Sequence, residues 1–124
     1  MPAEYREDLV DWFDMRMVHD PDVKPGRMMG HPGYACQSNN KLFLMFGGDG
    51  IYLKLTPERY TEMLERDDVV PFTPIGDRRA MGTWVVWTRI EPEEYDSDWT
   101  IIMESKRYVA SEPPNVKRPR RGKS

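Results

Sequence analysis

Cys36, His31 and Ser38 lie within one short stretch, and their residue types could in principle do acyl-transfer chemistry. A thiol or hydroxyl attacks a carbonyl only when a base takes its proton and an acid orients that base. Nothing like a nucleophile elbow surrounds Cys36 or Ser38, and the acid clusters Asp67-Asp68 and Glu91-Glu93-Glu94 read as solvated turns. Cys36 follows Tyr34-Ala35 and reads as a small hydrophobe on a strand. As metal ligands, His19, His31 and Cys36 supply at most part of the four that a structural zinc site needs. His19 falls at the end of a helical segment, where a cation suits the dipole. Gly47-Gly48-Asp49-Gly50 could expose backbone amides to an anion. It lacks the Gly-Lys-Ser/Thr ending of a nucleotide loop and no helix follows it, so it reads as a hairpin connection. The sequence therefore predicts no catalytic residue, no cofactor and no metal.

Charge offers a different chemistry. The chain of 124 residues carries a formal charge of −3, but residues 112–124 hold five basic groups against Glu112, and residues 1–111 hold 13 basic and 20 acidic groups. Lys117, Arg118, Arg120, Arg121 and Lys123 could displace counterions from a phosphate backbone, giving salt-sensitive, sequence-indifferent affinity. The plainer alternative is a solubilising, disordered end. Arg27, Lys54, Arg78 and Arg79 form a second possible basic patch, unless Arg27 and Lys54 pair with acids on neighbouring strands. Trp12, Trp84, Trp87 and Trp99 could line a ligand pocket, although at their spacing they read as core. Trp84 and Trp87 are three apart, so a regular strand points them to opposite faces. One of them then lies on the face that helices need not cover, where an aromatic surface would suit a second copy or another protein.

The elements that must position these groups follow from periodicity. Tyr5, Leu9, Trp12, Phe13 and Met17 share a helical face, opposite Glu7, Asp8, Asp11 and Asp14, and the helix should end before Asp20-Pro21. The Gly- and Pro-rich segment from Val23 to Gly33 reads as a connection into a short strand. Tyr34–Gln37 and Lys41–Phe46 read as a hairpin about Ser38-Asn39-Asn40, because Asn tolerates the left-handed backbone. Ile51–Leu55 is a third strand, and Thr56-Pro57-Glu58 a helix start with hydroxyl cap, proline and early acid. Pro71-Phe72-Thr73 and Trp84–Ile90 read as two more strands. Asp96 or Ser97 caps a last helix bearing Trp99, Ile102, Met103 and Val109. The order is α-β(3)-α-β(2)-α: an α+β domain over 1–112, an antiparallel sheet with flanking helices, then a disordered basic tail over 113–124.

The run Gly26-Arg27-Met28-Met29-Gly30-His31-Pro32, then Lys41-Leu42-Phe43 and Ile51-Tyr52-Leu53-Lys54-Leu55, resembles the opening strands of the TfoX N-terminal domain family. Met29 stands where that family has Phe, a swap of one large apolar group for another. Pro71-Phe72, Gly76-Asp77-Arg78-Arg79-Ala80-Met81 and Tyr108-Val109-Ala110-Ser111-Glu112-Pro113-Pro114 are similar to its later motifs, so the resemblance spans residues 5 to 114. It implies a stand-alone bacterial domain of secretion-chaperone-like arrangement, with relatives among the YjbR-like proteins. What it implies about function is a non-enzymatic regulatory or adaptor module that binds a protein partner or a second copy. Nucleic-acid binding through the basic tail is the alternative, and a small-molecule enzyme a more remote one. The single cysteine, the acidic N-terminus without an apolar signal core, and the lack of a long apolar run lead us to expect a cytoplasmic chain without membrane contact.

Overall fold

A computed structural model describes residues 4–74 and 79–114. The first helix, α1 (Glu7–Met17), buries Leu9, Phe13 and Met17, one residue per turn on one face. Glu7 and Asp8 lie in its first turn and Arg16 in its last, as the helix dipole favours. Six strands follow: β1 (Val23–Met28), β2 (His31–Cys36), β3 (Leu42–Gly47), β4 (Gly50–Lys54), then, after α2 (Pro57–Met63), β5 (Val69–Pro71) and β6 (Trp84–Trp87). A 3-10 helix (Pro92–Asp98) leads into α3 (Trp99–Ala110). The strands form one antiparallel sheet in the order β1-β2-β3-β4-β6-β5. The chain is thus α+β, an antiparallel sheet with flanking helices, with one strand more than the sequence predicts.

That extra strand is β1, in the segment read as a connection. The Gln37 amide bonds the Asp22 carbonyl, so in the β1–β2 register the inward-bonding positions are Lys24, Gly26 and Met28. Pro25 falls between them, and its missing N–H lies on the open outer edge, where a strand tolerates it. The opposite edge repeats the device. Phe72 N–H bonds Trp84 and Thr88 N–H bonds Asp68, so Pro71 of β5 also points its missing donor outward. The strand expected at Pro71–Thr73 accordingly lies at Val69–Pro71, and the one expected to reach Ile90 ends at Trp87.

Turns join the strands as their residues dictate. Met29 (φ 54°) and Gly30 (φ 83°) make the β1–β2 turn with two left-handed residues, Asn40 (φ 63°) takes that conformation after β2, and Gly48 (φ 54°) opens the β3–β4 turn. Gly47 must lack a side chain, since a Cβ there would lie 2.2 Å from the Tyr52 hydroxyl. Thr56 caps α2 through its hydroxyl, which accepts from the Arg59 amide at 3.1 Å. At α3 the expected cap is absent. Pro92 instead starts the 3-10 helix, closed by a reciprocal capping box between Glu91 and Glu94, and the chain runs straight into α3. Glu91 and Glu94 are therefore capping groups rather than a merely solvated cluster.

The helices pack on one face only. Leu9, Phe13 and Met17 of α1, Met63 of α2, Tyr95 of the 3-10 helix and Ile101, Ile102 and Val109 of α3 meet Phe43, Leu44, Phe46, Ile51, Leu53, Val85 and Trp87 of the sheet. Phe13 is the joint, its ring 5.1–5.7 Å from those of Trp12, Phe46, Tyr95 and Trp99. Asp68 is a structural acid here, not a solvated turn: it accepts the Trp87 indole N–H at 3.0 Å and pairs with Arg66 and Arg89.

Candidate docking face

Alternation along the strands decides which side chains reach the other face of the sheet. Met45, Phe72 and Trp84 are buried there, with Met28, Leu42, Tyr52, Met81 and Val86 half-buried around them. No helical residue belongs to this second cluster among the described residues. Trp87 lies in the helix-side core and Trp84 on the helix-free face, as their three-residue spacing predicts. Trp84 itself is covered, at 7 % exposure, by Phe72 and Met81. What remains accessible is aliphatic: Val70, directly opposite Val86, is 54 % exposed, and Met29 at the hairpin tip is 66 % exposed. Met29 holds its positive φ at a cost of about 1 kcal/mol.

A row of rings crosses this face. His31 of β2 meets Tyr52 of β4 edge-on at 5.5 Å, and Tyr52 stacks on Phe72 at 4.5 Å. The His31 Nδ1 bonds the Phe46 carbonyl at 2.9 Å, so that nitrogen carries the proton. Burial pushes the Tyr52 hydroxyl above its ordinary range. None of these groups is paired with an acid in the manner of a proton relay.

The residues that might have made a nucleophilic pair lie apart. His31 belongs to the ring row on the helix-free face, whereas Cys36 belongs to the helix-side core at the far end of β2, roughly 17 Å of strand away. Ser38 is exposed in the following turn, and His19 is exposed beyond α1. Cys36 is 1 % exposed and directs its thiol at the Lys106 carbonyl, 3.5 Å away. Burial pushes that thiol up, the nearby acids add to this, and Lys106 opposes it only in part. Native Cys36 should react with a disulfide reagent at least a hundredfold more slowly than the urea-unfolded chain. Comparable rates would mean an open thiol. Among the described residues no group of three or more His, Cys, Asp or Glu is placed to hold a metal, and no helix is long and apolar enough to cross a membrane.

Two adjoining cavities of about 430 and 370 Å³ lie between α1 and β1–β2, sharing Asp14, Pro25 and Tyr34. The Tyr34 hydroxyl donates to the Asp14 carboxylate at their junction. Burial first, and then Asp14, hold the phenol far above its ordinary range, so the proton stays on Tyr34 at any physiological pH. Arg27 lines one end of this groove and donates to the Gly30 carbonyl at 3.2 Å.

The expected basic patch is scattered. Arg27 is on the edge strand, while Lys54 ends β4 and pairs with Glu112 at 3.0 Å. Arg79 lies in the connection after β5, and Arg78 falls outside the described residues. Lys117, Arg118, Arg120, Arg121 and Lys123 also fall outside them. Their root is well defined. Glu112 is held by Lys41 and Lys54 together, and the Asn39 side-chain amide donates to the Glu112 and Val109 carbonyls at 2.9 and 2.8 Å. Burial would raise the Glu112 carboxyl, but hydrogen bonds from Lys54 and Lys41 hold it below the ordinary value.

Sequence reasoning missed Met28, Leu42, Tyr52, Val70 and Val86 as surface groups. One signal was present: Leu42-Phe43-Leu44-Met45-Phe46 is apolar without alternation, which requires that both faces of the sheet be apolar there. No family model matches this chain, and neither a curated protein nor a solved structure matches it.

Proposed function

We propose that this chain is a non-enzymatic regulatory or adaptor module, resembling the TfoX N-terminal domain, that acts in the cytoplasm by binding another protein through the helix-free face of its sheet. The supporting observation is the second apolar cluster, which no helix covers among the described residues and which ends in half-buried Met28, Leu42, Tyr52 and Val86 beside exposed Val70. Methionine-rich apolar surfaces adapt to the shape of a partner. Strand addition at the edges is a poor second mode, because Pro25 and Pro71 each remove an outward donor.

The test is a photo-crosslinking residue at Val86, compared with one at Asp11 on the exposed face of α1, in extracts of the source cells. Protein adducts specific to position 86 support the reading. Equal or absent adducts overturn it. Nucleic-acid binding through the basic segment is a second reading, because Glu112 starts that segment beside Lys41 and Lys54. It requires duplex or single-stranded DNA to bind the full chain, not a chain ending at Glu112, and binding that fades steeply with salt.

A further inference from the structure

Acids are absent from every strand. β1 through β6 contain no Asp or Glu, although the chain as a whole has 21 acids and only 18 basic residues. The strand charges are all positive. Lys24 and Lys54 alternate onto the helix-free face, since their neighbours Val23, Leu53 and Leu55 point into the helix-side core. Lys24 bonds the neutral side chain of Asn40 and forms no ion pair among the described residues. Glu112, the acid at the rim, is shared between Lys41 and Lys54, so it does not make this rim acidic. The described chain ends at Pro114, two residues beyond that rim, and the ten residues that follow carry five basic groups. The helix side is the reverse: α1 exposes Glu7, Asp8, Asp11 and Asp14 to solvent.

We infer that the partner segment received by this face is an amphipathic helix, apolar along one side and flanked by aspartate or glutamate. The inference rests on the protein-binding reading above and deepens it. The outward prolines disfavour an added strand, so the occupant packs on the face rather than the edge. A helix is the element that fills the second layer of such a sheet. From β1 to β5 the six strands span about 24 Å, the length of a helix of about 16 residues. A second copy offering the same face would set Lys24, and the surplus positive charge of the Lys41–Lys54–Glu112 group, against like charges, which disfavours a two-fold dimer through it. An acid-flanked helix meets Lys24, and the one surplus positive charge of the Lys41–Lys54–Glu112 group, with opposite charge.

The probes are two designed peptides of about 16 residues with the same Leu/Met face, one flanked by Glu and one by Lys. Each is titrated into the full chain while the methionine methyl signals of Met28, Met45 and Met81 are followed. The Glu-flanked peptide should shift these methyls and bind at least tenfold more tightly than the Lys-flanked one. That advantage should shrink about tenfold between 50 and 500 mM salt. Lys24→Glu, on the half-buried edge strand, should narrow the difference while circular dichroism shows the chain still folded. Equal binding by both peptides would overturn the charge assignment and leave the protein-binding reading standing. No methyl shift with either would overturn both. A 20-nucleotide single strand that moved the same methyls more tightly than the Glu-flanked peptide would assign the face to nucleic acid and overturn the inference.

Discussion

Phe13→Ala should lower stability by about 3–5 kcal/mol, the range for removing a buried aromatic ring. That is a large part of the roughly 5–15 kcal/mol available to a domain of this size. The reason lies in what the ring touches. Trp12 precedes it on α1, Phe46 belongs to β3, Tyr95 to the 3-10 helix and Trp99 to α3, all within 5.1–5.7 Å centre to centre. One side chain thus joins four elements, and its loss leaves a cavity that four separate backbones would have to move to fill. Phe13→Leu keeps most of the volume and should cost about 1–1.5 kcal/mol. Urea unfolding followed by circular dichroism and tryptophan fluorescence measures both. Val86→Lys on the helix-free face should cost no more than about 1 kcal/mol, since Val86 is half-buried and no helix depends on it. A Phe13→Ala loss no larger than that of Val86→Lys would mean that the helix side does not hold the fold together.

This asymmetry also explains which parts of the fold were legible in the sequence. α1 was readable because Leu9, Trp12, Phe13 and Met17 are spaced by three and four residues, a mixture that a helix gathers on one face and a strand would split between two. The start of α2 was readable because Thr56-Pro57 acts locally, through a single hydroxyl and a ring that fixes one dihedral. β1 was not, because Pro25 and Gly26 argue against a strand unless it is an edge strand. Edge position is a property of the whole sheet and leaves no mark on six residues. The 3-10 entry to α3 was hidden for a related reason: Asp96 and Ser97 are good local caps, but the turn starts earlier, at Pro92, with Glu91 and Glu94 closing it.

The candidate site was less legible still. Basic residues suggested a patch, yet Arg27 and Lys54 lie on different strands and Lys54 is engaged by Glu112, 58 positions along the chain. Pairings over such distances are decided by topology, which spacing alone does not carry. The absence of acids from the strands was visible all along, but it means something only when one face of the sheet is known to lack helices. The acid-free composition and the open face become a single feature in three dimensions.

The Asp98 carboxylate ties the end of α2 to the start of α3, and Asp98→Asn should remove about 2 kcal/mol at neutral pH, as for hydrogen bonds between charged groups. Arg66 and Arg89 donate to Asp98 Oδ2 at 3.1 and 2.9 Å, and both also approach Asp68 at 3.4 Å. Replacing Asp98 leaves two guanidinium groups sharing Asp68, which already accepts from Trp87. Burial alone would raise the Asp98 carboxyl, but the hydrogen bonds from Arg66 and Arg89 outweigh it and hold the group below its ordinary 3.8. A carboxyl depressed in the folded chain stabilises it fully above the unfolded value and loses that contribution as pH falls through the folded value. The gap between native and Asp98→Asn chains should therefore be full at pH 7, begin to close below about pH 5, and narrow further as pH drops past 3.8. Urea titrations of both chains at pH 7 and at about pH 3.5 measure it. A gap of unchanged size at the lower pH would mean that Asp98 acts through shape rather than charge. A closing gap would mean that this ion-pair network is one source of acid lability on the helix side.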